Sequence, residues 1–230
     1  MIVALPLAFG QSDVTDGASS AAPNVIPATT PASQGDSRRL SINPVTGQTT
    51  AHASDYTPLT TDELWKLYIK QSYWSVGAYF GPFAAALLID QTAGQPRQWG
   101  GGFPGYGRRV ASRVASGDVV QNSFQFPVAF LLKEDVRYIA SDQHGFGRRV
   151  GHAILYSFLT YNYEGHPTLN LSNIGGNYFA AAVSTRWLPG HQKVASYTFG
   201  NGSEELAMGV PLNLIQEFWP EINRAFFRRH

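Results

Sequence analysis

The densest group of titratable side chains in this chain is KEDVRY, at 133–138. Glu134 and Asp135 are the first carboxylates to consider as metal ligands or as an acid/base pair. Adjacent residues on a helix project about 100° apart, however, so the two do not readily share one site. The competing role is a bidentate ion pair between one of them and an arginine. Such arginines come from a phrase written twice, GYGRRV at 105–110 and GFGRRV at 145–150. Arg108, Arg109, Arg148 and Arg149, with Arg137, are therefore the candidates for structural ion pairing or for holding an anion, and Arg109 or Arg149 is the expected partner of Glu134 or Asp135. His152 and Glu217 complete the acid/base candidates. The other histidines are His52, His144, His166, His191 and His230. None of the six forms HExxH, HxH or a helical His/carboxylate pair, so no metal site is expected. A lone helical histidine such as His152 is more often structural than catalytic.

Several uncharged or singly charged residues recur at helical spacing. Asp118, Gln121, Asn122 and Gln125 fall at i, i+3, i+4 and i+7, which is one face of a helix. Arg148, His152 and Tyr156 form a second stripe, Asn173 and Asn177 a third, and Asn213 and Glu217 a fourth. Two readings stay open. The stripes are either the wet faces of amphipathic helices or the members of an internal network, in which every buried polar group must find a partner.

The elements that would position these residues are helices. Thr60-Thr61-Asp62-Glu63 is a capping box, and Leu64, Trp65, Tyr68 and Ile69 follow at helical spacing. From Ser72 to Ile89 there is no charge, and Gly81-Pro82 predicts a kink in this buried or interfacial helix. Further helices are expected at roughly 104–117, 118–140, 146–162, 172–188 and 204–227, separated by turns such as WGGGFPG. Both GxGRRV copies read as helix starts, an echo of duplication too weak for a repeat architecture. Alternating β-branched residues are scarce after residue 60. The fold class is therefore all-α, a compact bundle of about six or seven short Gly-rich helices.

The domain spans 59–230. Ahead of it, 11–58 is rich in Ser, Thr, Ala and Pro and reads as a disordered tether, because it cannot bury enough apolar surface to offset its ordering entropy. Within it LSINPVTGQTT, 40–50, could form a short hairpin at Asn43-Pro44 or Thr46-Gly47. Residues 1–10 have the apolar character of a signal-peptide remnant, with Ala8 and Gly10 flanking a cut before Gln11, although a basic leading region is missing.

Composition narrows the partners. A net charge of +1 gives no pull toward nucleic acid. Charged residues make up 14%, against roughly 25% in ordinary soluble domains, and aromatics reach 13%. That balance suits a lipid interface or a partner surface. The absence of cysteine removes disulfides, thiolate catalysis and Cys-based zinc sites. No nucleotide-binding P-loop or GxSxG elbow is present, and no cofactor is expected. The acid phosphatase signature of membrane lipid phosphatases is not met, since Val150-Gly151-His152 has neither the Pro nor the Ser of a PSGH segment.

Four phrases in order, EDVRY from Glu134, GFGRRVGHA from Gly145, LSNIGGNYFAAAVSTRWLP from Leu171 and EFWPEI from Glu217, resemble a group of uncharacterised bacterial exported proteins. The resemblance covers about 60–222. It implies a single helical domain at the cell envelope, exported to the periplasm or the outer membrane, and carries no activity with it. The favoured reading is a non-catalytic envelope module whose partner is an envelope lipid or protein. One alternative is an enzyme of lipid or cell-wall material using Glu134, Asp135, His152 and Glu217. Another is a carrier of an apolar ligand. Convergence of Asn122, Gln125, Tyr156, Asn173, Asn177 and Asn213 on a water-accessible pocket would favour the enzyme, and dry, fully paired stripes would count against it.

Overall fold

The computed structural model describes residues 42–43 and 46–226. The expected signal region 1–10, most of the tether and residues 227–230 lie outside the described residues. The fold is all-α, with two small two-stranded sheets. Helix α1 (Thr61–Ile69) opens with the anticipated capping box: the Thr60 hydroxyl oxygen accepts from the Glu63 amide, and Glu63 accepts from the Thr60 amide at 2.9 Å. It widens into a π-helical turn at Lys70–Trp74. Helix α2 (Val76–Ala85) likewise continues as a π-helix through Ala86–Gln91. The 45° bend of this helical pair falls at Ser75, whose side chain caps α2, while Pro82 is carried inside the helix.

Two expected helices, 104–117 and 118–140, are one rod. It begins at α3 (Gly102–Arg113), passes through a π-helical stretch at Val114–Gln121 and ends as α4 (Asn122–Leu132). The rod stops short of residue 140 because Lys133 adopts a left-handed conformation (φ 55°), a common helix terminator. The chain then runs extended into strand β2 (Tyr138–Ala140). Its partner is β1 (Thr50–His52), paired parallel with Thr50 opposite Tyr138. Helix α5 (Phe146–Leu155) also ends earlier than anticipated, giving way to a hairpin of β3 (Leu159–Tyr161) and β4 (Pro167–Leu169). Then follow α6 (Leu171–Ser184), α7 (Val194–Glu217) and the short α8 (Trp219–Phe226).

Residues 46–58, expected in the tether, are docked on the bundle. The hairpin anticipated at 40–50 is there, with Ile42 bridged to Thr49 and the Gly47 amide donating to the Asn43 carbonyl at 2.8 Å. Gly47 meets Gly77 of α2 backbone to backbone, so closely that a Cβ on Gly77 would overlap Gly47. Helix α6 packs against α4, the 114–121 stretch and α7 through small residues. Gly202 of α7 lies under the Tyr178 ring in the same manner. Two apolar clusters, Leu59/Leu64/Leu67/Phe126 and Tyr138/Ala140/Ala153, flank an interior in which many buried side chains are polar and most of the other apolar ones are alanines.

Candidate functional site

The extended backbone that follows Lys133 changes what Glu134 and Asp135 can do. Successive side chains on an extended chain point to opposite sides, so the two carboxylates part. Glu134 is buried, and its two oxygens accept from the amides of Leu171 (3.2 Å) and Ser172 (2.8 Å) at the start of α6. Those are donors a helix N-terminus leaves free, and the negative charge is favoured there by the helix dipole. Asp135 pairs bidentately with Arg137, Nη2 to Oδ2 at 2.5 Å and Nε to Oδ1 at 3.0 Å, and Arg137 also donates to the Thr57 carbonyl at 2.7 Å. The expected pairing of Arg109 or Arg149 with these carboxylates does not occur. The nearest arginine in the chain, on the same short extended segment, takes Asp135 instead.

The doubled phrase places its second arginine inward both times, and its first outward. Arg108 and Arg148 are exposed. The second copy is a true helix start, with Gly145 (φ 103°) just ahead of α5, whereas the first lies one turn inside α3. Arg109, 1% exposed, donates to the carbonyls of Gln95, Pro96 and Gly100 and to Gln91 Oε1, at 2.6 to 3.1 Å. Arg149 donates to Glu217 Oε1 at 3.1 Å, to Glu221 Oε1 at 2.6 Å and to the Glu217 carbonyl near the end of α7, and its guanidinium stacks on Phe218. Glu217 Oε2 accepts from the Tyr138 hydroxyl (2.8 Å) and the Ser141 amide (3.1 Å), with His152 Nδ1 at 3.7 Å. Burial by itself would raise the Glu217 pKa. Contacts from His152, Ser141, Tyr138 and Arg149 outweigh it and hold the carboxyl at about 2. His152 stacks on Tyr156 at 4.0 Å. The second polar stripe therefore runs through Arg149, His152 and Tyr156, with Arg148 turned away.

The remaining stripes converge on a cavity of about 720 Å³ inside the bundle. Asp118, Gln121, Asn122 and Gln125 line it from the rod, Asn173 and Asn177 from α6, and Tyr156 and Asn213 from the far side. Gln121 Nε2 donates to Asn173 Oδ1 (3.4 Å), Asn177 Nδ2 to the Asn173 carbonyl (2.8 Å) and Asn122 Nδ2 to Ser72 Oγ (3.1 Å). Asn213 Nδ2 donates to Ser157 Oγ at 2.9 Å. The same wall holds Arg113, clamped bidentately by Asp90 (2.6 and 2.8 Å) and bonded to Glu205 at 3.1 Å. Asp118 differs from all of these. Its Oδ2 is buried with no hydrogen-bond donor among the described residues, and burial pushes its carboxyl up to about 7.

Asp90, Arg113 and Glu205 were not among the residues expected from pattern. A signal for Asp90 exists: it is the first charge after the uncharged stretch that ends at Ile89. Glu205 has no comparable signal, since its pairing with Arg113 spans 92 positions of the chain. Of the acid/base candidates, the fold brings His152 and Glu217 together and sends Glu134 and Asp135 to separate structural tasks. Among the described residues, no three His, Cys, Asp or Glu side chains gather where they could hold a metal. No family model matches the chain, and no curated protein or solved structure is detectably similar to it.

Proposed function

We propose that this chain is a non-catalytic helical module of the bacterial cell envelope, exported and held against a lipid surface by the apolar outside of its bundle. The observation that carries the reading is an inverted distribution of polarity. Of the seven largest fully buried side chains, Arg109, Thr160, Asp135, Ser72 and Ser172 are polar, and only Leu67 and Ile139 are apolar. Outside, Trp74 is 80% exposed, Leu88 69% and Leu131 75%, among many others. Monomers in water seldom leave so much large apolar surface uncovered, and Trp and Tyr favour the headgroup level of a bilayer. The α1–α2 pair concentrates these side chains: Trp65, Tyr73, Trp74, Tyr79, Phe80 and Phe83 all stand exposed on it. Among the described residues no single helix is long and apolar enough to cross a membrane, although this bent pair qualifies jointly by length and composition. An interfacial seat agrees with both facts.

The polar stripes do converge on a pocket, as an enzyme would require, yet Glu134, Asp135, His152 and Glu217 are not among the residues that line it. Glu134, Asp135 and Glu217 each have both oxygens engaged by protein donors. A general acid or base must instead present its oxygen to a substrate. Cell fractionation and vesicle flotation test the proposal. The full chain should be recovered in the envelope fraction, resist a high-salt wash and float with phosphatidylethanolamine/phosphatidylglycerol vesicles. Trp74→Ser with Phe80→Ser should float several-fold less while keeping the parent's circular dichroism. Recovery in the cytosol with no vesicle binding would overturn it.

A further inference from the structure

We propose that the interior cavity is a binding site for a small primary amine, with the Asp118 carboxylate as its counter-ion. Four observations lead there. The cavity, about 720 Å³, lies within the size range of small-molecule sites. Asp118 on its wall is half-buried, and its Oδ2 is shut off from solvent and meets no donor among the described residues, while Glu134, Asp135 and Glu217 are each held by protein groups. The wall has no cation to spare for it. Arg113 is taken by Asp90 and Glu205, and Arg109 by backbone carbonyls and Gln91. Finally, the amide nitrogens of Gln121, Asn122 and Asn177 are engaged with Asn173 and Ser72. Their oxygens accept no hydrogen bond among the described residues, so they are free to meet a donor brought by a ligand.

A wall carboxylate with an oxygen that meets no donor, together with amide oxygens free to accept, favours a ligand that brings positive charge and several hydrogen-bond donors. A primary ammonium group has three donors and no acceptor, so it can meet a carboxylate and two amide oxygens together. A hydroxyl donates once and brings no charge. Both Asp118 and the neighbouring clamp residue Asp90 lie on π-helical stretches, an uncommon geometry that recurs at functional sites. The inference does not depend on membrane association, because none of the groups it invokes belongs to the exposed apolar surface.

Isothermal titration of the full-chain protein with glucosamine, putrescine and ethanolamine, each paired with glucose, butane-1,4-diol and ethylene glycol, tests it. At least one amine should bind at millimolar or lower concentration, and at least tenfold tighter than its neutral counterpart. Asp118→Asn should lose that binding by tenfold or more while melting cooperatively. Asp118→Ser repeats the comparison should the first variant fold poorly. If all three amines fail at 10 mM (about the upper limit of a useful weak site), the cavity holds water only and the proposal fails. Equal binding by Asp118→Asn, or binding of magnesium or calcium in preference to any amine, would also overturn it. None of these results bears on flotation with vesicles, so the two proposals stand or fall separately.

Discussion

Replacing Asp118 by Asn should stabilise the protein at alkaline pH and change it far less at acid pH. The carboxyl rises from 3.8 to about 7 because burial disfavours its charged form. A group whose folded-state pKa lies above its unfolded value contributes stability that is complete below the unfolded value. That contribution is lost as the pH rises through about 7. At about 1.4 kcal/mol per tenfold, the interval corresponds to about 4 kcal/mol of strain carried by the ionised wild type above pH 8. Water at the cavity-facing edge of the carboxylate screens part of it, leaving about 2 to 4 kcal/mol. The amide has nearly the same shape and no charge to desolvate. Asp90, Arg113, Glu204 and Glu205 also line the cavity, and their titration cancels when variant and parent are compared at each pH. A domain of this size shifts its melting midpoint by about 2 to 4 °C per kcal/mol, so Asp118→Asn should melt about 5 to 15 °C higher at pH 8.5 and no more than about 4 °C higher at pH 4.5, where the unfolded carboxyl is already mostly ionised. Differential scanning fluorimetry over that pH range reads both numbers. An equal shift at both pH values would refute the reasoning, since it would trace the effect to packing, and an unchanged midpoint at pH 8.5 would mean that the ionised carboxylate is already well solvated.

Arg149→Ala should cost about 2 to 4 kcal/mol in urea unfolding, because it leaves the buried Glu217 with only Tyr138, Ser141 and His152; Arg149→Lys should recover less than half, lacking the planar fork that reaches Glu217 and Glu221 together. The Glu217 carboxyl is held at about 2, below its unfolded value. Its contribution is therefore present above about pH 4.5 and lost as the pH falls toward 2, and Glu217→Gln should flatten that part of the pH–stability curve. Glu134→Ala should cost about 2 to 4 kcal/mol by stranding the Leu171 and Ser172 amides, with Glu134→Gln milder because one oxygen remains. Gly77→Ala should push the 46–52 segment off α2, so that proteinase K cuts between residues 46 and 58 in the variant and not in the parent.

What could be read in the chain was local, and what could not was set by distant partners. The Thr60–Glu63 capping box and the apolar spacing behind it are complete within a few residues, and α1 begins where they put it. Strand β2 carries an equally plain run of residues, Tyr138 to Ala140, yet its extended form depends on β1, some 88 positions earlier, in a segment whose turn residues announce a hairpin but not its docking on the bundle. The π-helical stretch at Val114–Gln121 had no visible mark either. Its wider turns alter the phase of the helix, so the stripe drawn at ordinary helical spacing from Asp118 still faces the cavity but divides: Gln121 turns to Asn173 on α6, and Asn122 to Ser72. Arg148 and Arg149 show the same sensitivity. Which of two neighbouring arginines faces inward depends on where the helix begins and what lies opposite.

The doubled GxGRRV phrase carries this one step further. Arg109 and Arg149 occupy equivalent positions, and both reach inward from a helix. Arg109 meets the turn at 94–100 and is satisfied by carbonyl oxygens, whereas Arg149 meets the end of α7 and is satisfied by Glu217 and Glu221. The phrase determines where a guanidinium is delivered, and the opposing surface determines whether it is met by dipoles or by charges. The same logic sorts the carboxylates. Glu134, Asp135 and Glu217 sit where donors already converge, so their charge is spent on holding the chain together. Asp118 sits where Asn177 of the opposing helix has turned its nitrogen to Asn173, and among the described residues no arginine bonds to it. A bundle this sparing in charge has little reason to strand one carboxylate in its interior unless a cation from outside completes it, and for that reason Asp118, rather than any residue of the KEDVRY cluster, marks the site to test.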